Sequence, residues 1–368
     1  MQGAGAARGR DDLASAERTG TYSYQQVLHS SKDLARELGI SPSTVSLVLN
    51  NKPGISQERR TQILKLAEER GLLTPERLKP ATTNLGFIVF RRTGLHVSNS
   101  PFFSLLLNGA SSAAAERGCN LVISQYDTTL PAAEQRRHIQ ASQFSGLIFF
   151  ATEAVKSDYE IMQSLGLPFV IVDNSLFSEL ADTICINNTM GIRMAFSYLY
   201  DLGHRNIGYL YSRSGIRSHD ERLEVYCNCM REHDLPLRDN SIVPLTYLGN
   251  NLRTELEPYL NSPDFPTAFL SDNDFVASSV KECLIASGLR VPEDVSIIGF
   301  DNRDFGTLYH PTLTTVALPT DYFGKMAVEF LFNRIAQPTL PPTLVYVGGT
   351  LIKRESTAAP IRIPTAAV

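Results

Sequence analysis

After residue 84 the chain is punctuated by seven short runs rich in β-branched and aromatic residues. They are LGFIVF (85–90), NLVISQ (120–125), GLIFFA (146–151), PFVIVD (168–173), NIGYLY (206–211), TAFLS (267–271) and VSIIGFD (295–301). Each is too short for a core helix and almost unbroken in its apolar character, the pattern of a strand buried on both faces. Helix-length connections separate them, so neighbouring strands pair in parallel through crossovers. About 285 residues built this way exceed one sheet, which predicts two α/β lobes. In open parallel sheets ligands bind outside the carboxyl ends of the strands. Polar residues stand at three such ends: Asp173 closes PFVIVD, Asn273 follows TAFLSD and Asp301 closes SIIGFD.

Residues 31–71 follow a different, purely helical pattern. Leu34 and Leu38 repeat at i, i+4, and Gly39 is placed to end that helix in a left-handed cap. Ser41 then serves as N-cap and Pro42 as first helical residue, where its missing N–H costs nothing. The second helix runs to about Asn50, and NKPG breaks it. Ser56 caps a third helix with Ile63, Leu66 and Ala67 on one stripe. Three helices, the first two joined by a tight turn, make a helix-turn-helix domain.

At about 100° per residue, Val45, Val48 and Leu49 of the second helix point to the core. Ser43, Ser46, Asn50 and an apolar Leu47 cluster opposite. Hydroxyl and amide groups there suit phosphates and base edges, and an exposed leucine suits a thymine methyl. The charge agrees. Residues 30–79 hold nine Lys/Arg against six Asp/Glu, whereas 80–368 hold 22 against 29, so an anionic partner is expected only at the amino-terminal end.

Five cysteines, without CxxC spacing, read as thiols in a reducing compartment, with no metal and no cofactor implied. No apolar run approaches the ~18–20 residues of a membrane span, and the first residues have no hydrophobic signal core. A cytoplasmic protein is expected. No GxGxxG follows the first strand, and no Walker A loop or GxSxG elbow is present, which argues against an enzyme.

Several motifs in order resemble the lactose repressor / purine repressor (LacI/GalR) family of bacterial transcription factors: SPSTVSLVLN and SQERRTQILKLAEERG, then LGHRNIGYL (202–210), LSDNDFVASSV (270–280), GLRVPEDVSIIGFDN (288–302) and HPTLTTV (310–316). The resemblance covers residues 31–357. It implies an all-α headpiece that binds double-stranded operator DNA, joined to an α/β effector domain like the periplasmic sugar-binding proteins. Two parallel-sheet lobes would hold a small effector between them, and the chain would act as a homodimer on a pseudo-palindrome. The expected division is a disordered extension (1–29), the headpiece (30–71), a linker (72–84), the two-lobed domain (85–357) and a tail (358–368). The N-lobe takes about 85–186 and 318–336, and the C-lobe about 187–317 and 337–357, with crossings near 185–188, 316–320 and 335–340.

By position the resemblance makes Pro42, Ser43 and Leu47 base-reading residues, and Thr44, Ser46 and Asn50 backbone anchors. Leu47 departs from the arginine common there. The linker TPERLKPATTN is shorter than the family's hinge helix, with Leu78 as the candidate minor-groove wedge and Pro80 limiting any helix to a turn. The implied effector contacts are Phe102, Phe103, Asp173, Arg222, Asn273 and Asp301. Competing readings are a turn cap for Asp173, an exposed helix position for Arg222 and a core position for one phenylalanine. Val225 replaces a family glycine, which either narrows the pocket mouth or shifts the helix carrying Arg222. The expected ligand is a sugar or sugar derivative, then a nucleoside or other polar metabolite. The rival function is a solute-binding protein without regulatory DNA binding.

With leucine instead of arginine at 47, the operator is expected to lack a strict guanine at that base pair. Selection of binding sites from random DNA checks this. An invariant guanine whose preference is lost only in Leu47→Ala overturns the methyl-contact reading.

Overall fold

The computed structural model describes residues 31–49, 54–70, 83–94, 101–246 and 251–361. The extension (1–29), Asn50, Leu78 with the linker up to 82, and the tail from 362 lie outside the described residues. The chain divides into two compact units at residues 81 and 82, taken here one at a time.

The amino-terminal unit has three helices: α1 (Ser31–Glu37), α2 (Pro42–Leu49) and α3 (Gln57–Glu69). Gly39 turns the chain at φ +65°, and the Ser41 hydroxyl accepts the N–H of Thr44 at 3.1 Å to start α2. Val45 and Val48 are buried with Leu34, Ala35, Ile63 and Ala67. Leu49 packs against this cluster, while Leu47 is only half-buried and stands apart from it.

The second unit begins with β1 (Thr83–Arg91), α4 (Pro101–Glu116), β2 (Cys119–Asp127), α5 (Ala132–Ala141), β3 (Gly146–Phe150), α6 (Tyr159–Gln163), β4 (Phe169–Val172) and β5 (Thr183–Ile186). It continues with α7 (Asn188–Asp201), β6 (Ile207–Ser212), α8 (Arg217–Glu232), β7 (Ile242–Leu245), α9 (Leu252–Leu260), β8 (Ala268–Ser271), α10 (Asp274–Ala286), β9 (Ser296–Asp301) and β10 (Thr314–Ala317). It closes with α11 (Thr320–Ala336), β11 (Leu344–Val347) and β12 (Thr350–Ile352). The strands form two six-stranded sheets, ordered β11-β5-β4-β3-β1-β2 and β12-β10-β9-β8-β6-β7. Every described pairing is parallel except β10 with β12.

The chain leaves the first sheet after β5 and returns to it between β10 and α11. The third crossing, expected at 335–340, lies instead at Gly348-Gly349, because β11 pairs with β5 in the first sheet before β12 joins the second. The first lobe therefore takes 318–347, and its share was set too short. A side chain at Gly349 would come 2.6 Å from the Ala317 carbonyl oxygen, so the crossing strands are too close for one. The seven runs all form strands. The five strands missed are three or four residues long, and most are broken by a threonine or a proline, so no continuous apolar run marks them.

In the first lobe, α4 and α11 meet through two glycines. A Cβ on Gly109 would lie 2.0 Å from the Asp321 carbonyl oxygen, and one on Gly324 would lie 2.0 Å from that of Leu106. Both obstacles are backbone, which cannot rotate away. Gly324→Ala is therefore expected to destabilise this domain by about 1–3 kcal/mol. A denaturant titration checks it, and an unchanged midpoint would disprove the close helix contact.

Candidate functional site

The described face of α2 opposite its core side presents Pro42, Ser43 and Ser46 exposed, with Thr44 and Leu47 half-buried. The Ser41 hydroxyl lies 2.6 Å from that of Ser43 and 2.8 Å from that of Thr44. These hydroxyls thus hold each other at the start of the helix, and two bonds among three O–H groups leave one donor for a phosphate.

The second site is built around Arg222 on α8, which is 2% exposed. Its Nε donates to Asn188 Oδ1 at 2.8 Å, and Nη1 donates to the Asp272 carbonyl. Nη2 lies 3.8 Å from Asp301 Oδ1, and the guanidinium stacks 3.7 Å from the Phe300 ring centre. The reading of Arg222 as an exposed helix residue is thereby excluded. Asp301 (φ +108°) ends β9 and also lies 3.5 Å from Arg303 Nη2. Arg303 is itself buried, and its guanidinium carbon is 6.0 Å from the ring centre of Phe102 on α4, so it spans the two lobes.

Asp173 follows β4 with φ +65° and is buried, accepting the Thr152 hydroxyl at 2.7 Å. It does not cap the next turn. Asn174 does, accepting the N–H of Leu176 at 3.1 Å. Asn273 is occupied at both ends of its amide: Oδ1 accepts from Val276 N at 2.9 Å to cap α10, and Nδ2 donates to Asp272 Oδ1 at 2.8 Å. A ligand reaches it only through the remaining amide hydrogen or lone pair. Phe102 is buried against Phe150 and Phe323, while Phe103 is half-buried against Phe87 and Phe150. Phe102 is thus the phenylalanine with the core position, although it also faces Arg303.

Five residues of this cluster escaped the sequence reading. Asn188 joins Arg222 to Glu221, whose Oε2 accepts Asn188 Nδ2 at 2.7 Å. Glu221 also accepts the hydroxyl of Ser175 from the other lobe. Asp272 accepts the N–H of Ser212 at 2.6 Å and its hydroxyl at 2.5 Å. Asp274 accepts from Arg303 N and the Thr315 hydroxyl, each at 2.6 Å. Arg303 is the fifth. A signal existed for three of them: Asp272 and Asp274 flank Asn273, and Arg303 sits two residues after Asp301. Asn188 and Glu221 gave none, since β5 was not recognised and Glu221 is one of many helical carboxylates.

Ser212, His219 and Asp272 lie together, but not as a nucleophilic relay. Ser212 sits between the other two, its Oγ 3.0 Å from His219 Nδ1 and also bonded to the carboxylate. A relay needs the imidazole between hydroxyl and carboxylate.

Burial pushes Asp173 up to about 7, against the hydrogen bond from Thr152 and the field of Arg222. Asp274 rises to about 7 and Asp272 to about 6, burial again being the main cause. Two arginines are thus ringed by carboxyl groups of which some stay protonated near neutrality. The arrangement offers fixed donors, acceptors and aromatic walls, the equipment for holding a hydroxyl-rich molecule.

Each of the two units also matches a known family model. Residues 31–73 match the model of "Bacterial regulatory proteins, lacI family", and residues 196–357 match a periplasmic binding protein-like domain. The ribose operon repressor of Escherichia coli (strain K12) is 29% identical over 336 residues, covering 88% of this chain and 98% of that protein. The transcriptional repressor PurR of Photobacterium profundum is 27% identical, with 88% and 97% covered. Among solved structures, the lac repressor dimer bound to operator and the anti-inducer ONPF aligns with TM-score 0.67 at 21% identity, covering 90% of this chain and 99% of that one. The complex of regulator CelR with cellobiose aligns with TM-score 0.66 at 22% identity, covering 89% and 99%.

A carboxyl raised above its unfolded value of about 4 binds its proton more tightly in the fold, so stability falls as pH rises toward about 7 and levels above it. Asp173→Asn keeps the shape but cannot ionise. Its melting temperature is expected to fall less steeply between weakly acidic and neutral pH than that of the unaltered protein. Thermal scans across that range check this, and parallel curves would place the pH dependence elsewhere.

Proposed function

Starting from a chain that belongs to the lacI family of bacterial regulatory proteins, a DNA-binding transcriptional regulator and not an enzyme, we propose that it is a repressor controlled by a sugar or sugar derivative bound between its lobes. It would act in the cytoplasm as a homodimer, with two headpieces on the half-sites of a pseudo-palindromic operator. Pro42, Ser43 and Leu47 would read bases, with Thr44 and Ser46 on the backbone.

The observation that carries this reading is the Arg222 cluster. It gathers the ends of β8 and β9 and the start of α7 on one guanidinium, and it reaches the first lobe through Glu221 and Ser175. A ligand that pairs its hydroxyls with Arg222, Asp301 and Asp173 exchanges contacts in both lobes at once. It thereby binds one lobe arrangement better than another, which is all that control of DNA affinity requires. Phe102 and Phe103 supply the aromatic wall and Asn273 an amide. Relatives named for ribose, and a structural neighbour holding cellobiose, support a sugar as ligand class.

Purified protein incubated with fragmented DNA of its own genome is expected to retain a pseudo-palindrome beside genes for carbohydrate uptake or breakdown. Affinity for DNA should fall steeply with salt as counterions are released. A solute-binding protein would retain nothing even at low salt, and that result overturns the repressor reading. Asp301→Ala is expected to lose the ligand response while keeping operator affinity within about twofold, since it lies in the other unit. Gel-shift titrations with and without ligand check this, and an intact response in that variant removes Asp301 from the ligand contacts.

A further inference from the structure

A cavity of about 400 Å³ opens between α7, α8 and β11; it shares Asn188 and Glu221 with the edge of the Arg222 cluster. Its α8 wall carries Arg217, Glu221, Glu224, Val225 and Asn228. At about 100° per residue these form one face, centred roughly 120° around the helix from Arg222. None of Phe102, Phe103, Asp173, Arg222, Asn273 and Asp301 lines it. The walls belong to both lobes, because Tyr346 lies on β11 of the first sheet while α7 and α8 cover the second.

The lining has a definite chemistry. Asn187 commits its Oδ1 to the cap of α7, and Asn228 Oδ1 accepts from Arg231, so both amides have N–H groups to offer. Arg217 Nη1 bonds Glu224 at 3.1 Å. Its Nε lies 3.2 Å from Glu221 Oε1 but out of line for a hydrogen bond, which leaves a buried donor unmet. Glu224, 60% exposed, supplies acceptors, and the half-exposed Tyr346 ring with Val225 supplies an apolar wall. An anion would meet two carboxylates for one guanidinium. A neutral molecule with several hydroxyls and an apolar face meets partners for both, and the volume is in the range of small-molecule sites.

We propose that this cavity is a second small-molecule site, separate from the cleft, which takes a neutral polyhydroxylated ligand of monosaccharide size and holds the two lobes in one arrangement. The path to the cleft is short. Glu221 on the cavity wall accepts from Ser175 of the first lobe and from Asn188, and Asn188 in turn accepts from Arg222. A ligand seated between Tyr346 and α8 restrains the same pair of lobes that the cleft closes.

The chain contains no tryptophan, so Tyr346→Trp places a single emitter on the cavity wall. The test is to titrate the Tyr346→Trp, Asp301→Ala double variant with D-ribose, D-glucose and myo-inositol into the millimolar range. A saturable change in emission with at least one is expected. Adding Asn228→Phe, which fills the cavity, should abolish it. Adding Glu224→Gln, an isosteric change at a side chain 60% exposed, should weaken it at least tenfold. No saturable change with any of the three compounds overturns the proposal, as does a change that survives both additions. A response seen in Tyr346→Trp alone but lost with Asp301→Ala reports closure of the central cleft, and also overturns it. None of these results depends on operator binding, so the regulator reading stands or falls separately.

Discussion

A guanidinium buried away from water is costly unless its donors are met and its charge is balanced. Arg222 meets that condition only because three segments converge on it: the start of α7 through Asn188, the end of β8 through the Asp272 carbonyl, and the end of β9 through Asp301 with Phe300 beneath the guanidinium plane. Removing one partner of such a buried arrangement typically costs about 3–5 kcal/mol. The orientation of α8 is therefore tied to the carboxyl ends of the second sheet, and both faces of that helix are set by the same contact.

Around this point the domain collects more carboxyl groups than cations. Asp173 and Asp274 are raised to about 7 and Asp272 to about 6, chiefly because burial disfavours their charge. Hydrogen bonds from Thr152, Ser212 and Thr315 partly offset that cost. The result is a site rich in acceptors and moderate in net charge. Such a site suits hydroxyl groups, which both donate and accept.

Glu221 stands between two spaces, the cavity beside α8 and the Arg222 cluster. It receives Ser175 from one lobe and Asn188 from the other, with Arg217 alongside. Val225, where the family resemblance leads one to expect glycine, lines the cavity beside α8 and is otherwise buried in the core. Its bulk therefore bears on the space between α7 and α8.

The helical headpiece, seven strands with near-continuous apolar runs and the polar residues at strand ends were legible in the sequence, because apolar patterning and cap residues act locally. Ser41 and Gly39 do their work within a few residues of themselves. Asp301 and Asp173 were legible because a strand end is a local feature too. The short strands β11 and β12 were not, since three or four residues carry no period, and their sheets are chosen by partners far along the chain. For the same reason the third crossing was displaced to Gly348-Gly349. Asn188, Glu221 and Arg303 gain their roles only from neighbours that the fold delivers. The sequence alone determined which elements form and which ends are polar; the tertiary structure decided which charges meet, because the pairing of buried groups depends on distances that no local pattern encodes.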